Sequence, residues 1–83
     1  MKSPLTTIPG VGKSIAADLE GIGVYQVNDL IGKDPEQLYQ QICNKQGVVV
    51  DRCLLYVMRC AVYFASHKIH DPELLKWWKW KDA

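Results

Sequence analysis

Ile8-Pro9-Gly10-Val11-Gly12-Lys13-Ser14 is the stretch on which the reading of this chain turns. Pro9 pushes the residue before it out of the α region, so the short helix opened by Ser3 as N-cap and Pro4 at the first position has to end there. The two glycines permit positive φ and let another group approach the backbone with no side chain in the way. Beyond the turn, Ser14 to Glu20 sets Ile15, Ala16 and Leu19 at helical spacing, and Gly21 or Gly23 supplies a left-handed stop. The stretch therefore reads as a tight turn between two helices. At the start of the second helix up to four amides lack intrahelical partners and the dipole is positive, so an anion is favoured. Lys13 adds a point charge and Ser14 a hydroxyl. A phosphate held by backbone in this way is bound without regard to sequence. The plainer alternative is a glycine turn that only lets two helices cross closely.

The rest of the chain reads as further helices. Tyr25 to Ile31 forms a third short one, with Val27, Leu30 and Ile31 inward and Gly32 as its stop. Asp34-Pro35-Glu36 combines an N-cap, a proline at the first position and an acid favoured by the dipole. It opens a fourth helix to about Cys43, with Leu38, Tyr39 and Ile42 on one face. Gly47-Val48-Val49-Val50 is too short to make a sheet and reads as a loop with buried valines. Asp51 caps the longest helix, Arg52 to Ser66, which is apolar on most of its circumference and must be surrounded by the others. Asp71-Pro72-Glu73 opens a last, Trp-rich helix over 71–81 that carries Trp77, Trp78 and Trp80. The expected fold is all-α: one compact five- or six-helix domain over 1–83, with the hairpin at 8–14.

Composition narrows the function classes. A chain of 83 residues has room for one core, burying roughly 60 to 65% of the surface its unfolded form exposes. Its 48% hydrophobic and 23% charged residues are those of a folded globular protein. No apolar run reaches the roughly 18 to 20 residues of a membrane span, and Met1-Lys2-Ser3-Pro4 starts no apolar signal segment, so no membrane partner and a cytoplasmic location are expected. The three cysteines, Cys43, Cys53 and Cys60, are an odd number and read as reduced, small core side chains. The net charge of +1 divides into +2 over residues 1–13, −4 over 14–36 and +3 over 37–83. A dedicated nucleic-acid binder carries a basic stripe, because each neutralised phosphate adds affinity through counterion release. Any phosphate contact here is local, and weak for the isolated chain.

The order Pro9-Gly10, Val11, Gly12-Lys13, then Ala17 and Leu19, then Gly23-Val24, resembles the helix-hairpin-helix motif of DNA repair and replication proteins. A nucleotide-binding P-loop ending in Gly12-Lys13-Ser14 would need a glycine where Thr7 stands. Together with the hairpin, the stretch Val50-Asp51-Arg52-Cys53-Leu54-Leu55-Tyr56-Val57-Met58-Arg59-Cys60-Ala61-Val62-Tyr63 and the ending Asp71-Pro72-Glu73-Leu74-Leu75-Lys76-Trp77-Trp78-Lys79-Trp80-Lys81-Asp82 resemble a small bacterial family, labelled pathogenicity-locus or mitomycin-resistance-like. The resemblance covers nearly the whole chain. It implies a SAM-like, helix-hairpin-helix fold and DNA binding. The segment around Gly47-Val48-Val49 lacks Pro-Gly-x-Gly and is followed by Asp51, so a second hairpin would come from a homodimer or a protein partner. The expected function is a non-catalytic, sequence-independent DNA-binding accessory module. Gly10, Val11, Gly12, Lys13 and Ser14 hold the phosphate, with no cofactor and no metal. The alternative is a SAM-like protein-interaction or adaptor domain that binds no nucleic acid.

Other residues form a secondary candidate surface. Arg52, Tyr56, Arg59, Tyr63 and Ser66 follow one another along one helical face. They could grip phosphates and bases, form an interface, or pack under the tryptophans with an arginine on an indole. Lys76-Trp77-Trp78-Lys79-Trp80-Lys81 could stack on unpaired bases or sit at a membrane surface. The plainer reading anchors at least two of these tryptophans in the core. Cys53, Cys60 and His67 are seven apart, and a rise of roughly 10 Å per seven helical residues separates the cysteines too far to share a zinc ion. Asp18, Glu20, Asp29 and Glu36 fall in caps or on polar faces, with no carboxylate pair for acid-base chemistry.

Overall fold

The structure is a computed structural model that describes residues 4–81. Among these residues there are three α-helices and no strand: α1 (Lys13–Glu20), α2 (Pro35–Gln46) and α3 (Cys53–Ser66). Four single 3-10 turns accompany them, at Pro4–Thr7, Val27–Leu30, Pro72–Leu75 and Trp77–Trp80. The fold is all-helical as expected, but the expected five or six helices are three. The short segments are the reason. Each has four residues, enough for i to i+3 bonds but too few for the costly first turn of an α-helix to be repaid by propagation. The Ser3 cap lies outside the described residues.

Local chemistry sets the helix limits. Asp34 Oδ1 accepts the Glu36 amide at 3.0 Å, with Pro35 in the first position. α2 then runs beyond Cys43 to Gln46, where Gly47 takes a left-handed conformation (φ 72°) and its N–H returns to the Cys43 carbonyl at 2.9 Å. This is a C-terminal cap that glycine adopts without strain. Asp51 Oδ1 accepts the Cys53 amide at 2.9 Å and opens α3. The expected Trp-rich helix is instead two turns broken at Lys76, whose backbone is extended (φ −88°, ψ 110°).

Most of α3 is buried or half-buried. Leu54, Leu55, Val57, Met58, Cys60 and Ala61 are all buried, which accounts for the near-continuous apolar character of its sequence. α2 supplies Leu38, Tyr39 and Ile42, α1 supplies Ala16 and Leu19, and the first two 3-10 turns supply Leu5 and Leu30. Ile31, expected inward, is 54% exposed. In a 3-10 turn residues three apart eclipse, so Val27 and Leu30 share the inner face and the next residue leaves it.

The valine loop is also corrected. Val49 is 90% exposed and Val48 59%, and only Val50 is half-buried. The loop is pinned at its last residue, where the Tyr39 hydroxyl donates to the Val50 carbonyl and the Val50 amide donates to Cys43 Sγ at 3.4 Å. Between that pin and the Gly47 cap the chain has no room to turn two further side chains inward. Burial, reinforced by Cys43, pushes the Tyr39 phenol above its ordinary pKa, so it remains a donor. Of the three cysteines only Cys60 is a core residue, Cys43 being half-buried and Cys53 exposed. Among the described residues no helix is long and apolar enough to cross a membrane.

The arrangement predicts where truncation matters. Leu55→Ala, at a fully buried site, should destabilise by about 2–5 kcal/mol, a large part of the roughly 5–15 kcal/mol expected of a small domain. Val49→Ala should change stability by about 0.5 kcal/mol or less. Urea unfolding midpoints at constant slope would separate them, and comparable losses would contradict the exposed loop.

Candidate functional site

The hairpin is built from two buried anchors and an exposed exit. Ile8 and Val11 are both in the core, and the Val11 amide donates to the Ile8 carbonyl at 3.0 Å. Val11 thus closes the turn and has no N–H to offer a ligand. Gly10, between the anchors, has φ 87°. A Cβ on it would meet Trp77 Cδ1 at 3.0 Å and Trp77 Cβ at 3.5 Å. Two independent constraints therefore require glycine at position 10, the left-handed backbone and the indole lying across the turn. Gly12 differs: its backbone is extended (φ −94°, ψ −172°), and an added Cβ would meet nothing.

Gly12, Lys13 and Ser14 are exposed, with Gly12 as the N-cap of α1. No side chain caps this terminus and no acid stands in its first turn. The amides of that turn have no carbonyl to bond within the helix, and the positive end of the dipole faces solvent. Geometry and sign both suit an anion, although the cradle consists of Gly12, Lys13 and Ser14 with Gly10 shaping the approach.

The sequence treats the hairpin and the tryptophan tail as separate surfaces, and the fold joins them. Trp77 lies against Gly10 and packs on the core. Trp78 meets Trp77 edge-on, with centroids 5.8 Å apart and planes at 88°, and is itself 48% exposed. Trp80 is held by its indole N–H, which donates to the Leu74 carbonyl at 2.8 Å. Two of the three tryptophans are thus anchored. Behind them sits Cys60, whose Sγ lies 3.9 Å from the Pro9 carbonyl and 3.6 and 3.5 Å from those of Leu74 and Leu75. Burial raises this thiol above its usual pKa, so it stays an uncharged, small spacer where hairpin and tail both rest on α3.

The arginine and tyrosine stripe proves largely a fastening for the tail. Arg59 Nη1 donates to the Trp80 carbonyl at 2.8 Å, and Nη2 stands 3.9 Å from Glu36 Oε1. Its guanidinium lies 5.7 Å over the Tyr56 ring. The Tyr63 hydroxyl accepts the Asp71 amide at 2.8 Å, and its ring is 5.6 Å from that of Trp80. Arg52 is exposed at the other end of the stripe.

Two residues without a role in the sequence reading close the far end of α3. His67 Nδ1 lies 3.0 Å from the Tyr63 carbonyl and His70 Nε2 2.8 Å from that of Phe64. Each of these nitrogens must carry the hydrogen, since a carbonyl only accepts. Histidines just past an apolar helix are a recognisable C-terminal signal. The carboxylates serve similar local ends. Asp29 Oδ2 accepts the Tyr25 and Gln26 amides at 3.1 Å each, and Asp18 Oδ1 accepts from Gln46 Nε2 at 3.0 Å. Asp51, lowered in pKa by the Cys53 N–H, hydrogen-bonds the exposed Cys53 thiol and raises it. Among the described residues no group of three or more His, Cys, Asp or Glu is placed to hold a metal ion.

The pathogenicity locus family, Cdd1, has a model that matches residues 2–83, and this chain belongs to that family. A relative is the mitomycin resistance protein McrB of Streptomyces lavendulae, 36% identical over 76 residues that make up 92% of this chain and 69% of the relative. No solved structure matches the chain.

The two hairpin glycines should respond differently to the same change. Gly10→Ala should destabilise by an amount of order 1–3 kcal/mol from backbone strain, with displacement of Trp77 adding to it and a shift in tryptophan emission. Gly12→Ala should cost less, about 1 kcal/mol or below, the loss of a favoured N-cap residue, with no strain, no displaced indole and no shift in emission. Thermal unfolding followed by fluorescence would test the pair.

Proposed function

We propose that this chain is a helix-hairpin-helix, SAM-like module that binds DNA through its backbone, without reading sequence and without catalysis. The observation that carries the reading is the exposed start of α1, with no side-chain cap and no acid in its first turn. The amides of Gly12, Lys13 and Ser14 receive one phosphate, and the Lys13 ammonium adds its charge. Gly10 shapes the turn, and Val11 locks it through its buried side chain and its bond to Ile8. Because the donors are backbone groups, every nucleotide is equivalent to them. The module needs no cofactor and works in the bacterial cytoplasm.

A single hairpin on a chain of net charge +1 supports weak binding, and a homodimer or a protein partner would add the second contact. The name of the Streptomyces lavendulae relative supplies a setting, mitomycin resistance, in which loss of the chain would be assayed. A protein-adaptor reading draws instead on the exposed apolar Val48 and Val49.

Binding to a generic duplex, followed by fluorescence anisotropy across a salt series, tests the proposal. The parent should bind at low salt with log K falling by about 0.9 per decade of salt for each phosphate contact. Lys13→Glu should weaken binding by about tenfold or more, equivalent to roughly 1.4 kcal/mol. Equal affinity in both proteins, or no binding by the parent at low salt, would overturn the DNA reading and favour the adaptor.

A further inference from the structure

On the face of α3 away from the hairpin, an open groove of about 640 Å³ runs between the C-terminal half of that helix and the tail of the chain. One wall carries Arg59, Tyr63 and His67, and the other Lys79, Trp80 and Lys81. We infer that this groove binds a single strand of nucleic acid.

Charge complementarity is the first support. Three of the six side chains named, Arg59, Lys79 and Lys81, are cationic, and the described lining includes no acid. Among the described residues two carboxylates approach its cations from outside the lining, Glu36 at 3.9 Å from Arg59 and Glu73 at 3.7 Å from Lys79. Both pairs are partly or largely exposed, the kind of contact that contributes little and yields readily to a phosphate. Lys81 is exposed and has no acidic partner among the described residues.

Shape and floor are the second. The groove is open rather than enclosed, and its floor is apolar and aromatic, with Val62 beside the half-buried rings of Tyr63 and Trp80. From Arg59 to His67 the helix rises about 12 Å, room for roughly three stacked nucleotides at 3.4 Å each. An open trough with cations along its rim and rings in its floor suits a strand that runs through it, held by its phosphates and by partial stacking of its bases. A duplex, whose bases are already stacked inward, gains nothing from the rings. The walls are fixed to each other before any ligand arrives, because Arg59 ties the Trp80 carbonyl to α3 at 2.8 Å.

The groove shares no residue with the hairpin cradle. The two sites are nevertheless neighbours along the tail. Trp77 covers Gly10, and Trp80 enters the groove one 3-10 turn later, a rise of about 6 Å.

Anisotropy of a short labelled oligothymidylate with the full chain at low salt tests the groove. The parent should bind, and Lys79→Gln with Lys81→Gln should weaken binding by about tenfold or more and reduce the salt slope by about 0.7 for each phosphate no longer neutralised. Lys45→Gln, on α2 and outside the groove, should leave binding unchanged. Equal affinity in the double variant, or no binding by the parent, overturns the inference. A loss on Lys13→Gln matching that of the double variant would put the strand at the hairpin and also overturn it. Displacement of the oligonucleotide by an equimolar glutamate-rich peptide would identify an acidic-peptide surface instead. Duplex binding measured on the same variants tests the hairpin separately, because that reading fails on Lys13 alone.

Discussion

A helix that is apolar around nearly its whole circumference has to be covered from every direction, and in a chain this short there is only just enough polypeptide to do so. α3 imposes that demand. α2, the Val27–Leu30 turn and the tail cover most of it, and the hairpin reaches it at Cys60. The elements that look functional in the sequence are therefore also structural, because none can leave α3 without exposing it. Arg59, Tyr63 and two tryptophans are drawn into this covering work, and their free surface is smaller than their chemistry suggests.

How much of this could be read from the residues depended on whether the signal was local. The Asp-Pro-Glu starts at 34 and 71 and the apolar circumference of α3 are local signals, and the structure places these features close to where they fall, although α2 runs on past Cys43 to the left-handed Gly47. The valine loop is different. β-Branched residues argue for burial, but the pins at Tyr39 and Cys43 lie seven and more residues away and decide which single valine turns inward. The number of helices failed for a related reason. Four residues between breakers have helical spacing yet lack the length for an α-helical turn to be worth nucleating.

The candidate site divides along the same line. Gly12, Lys13 and Ser14 are exposed at the start of α1, where the glycine turn and helix spacing put them. Val11 could not be assigned from its neighbours alone, since only the turn geometry reveals that its amide already bonds Ile8. Nor does any sequence periodicity connect residue 10 with residue 77. That contact is tertiary, and it changes the meaning of Gly10 from a conformational device to a packing surface as well. The sulfur of Cys60, small, uncharged and facing carbonyls from both segments, sets the clearance between them.

The meeting of Gly10 with Trp77 also has an architectural side. It brings two turns far apart in sequence onto one patch, so each holds the other in place. The region aligned with the Streptomyces lavendulae relative makes up 69% of that protein, which extends beyond it. In such a setting the turn and the indole would serve as a clasp, holding the module shut however the surrounding chain moves.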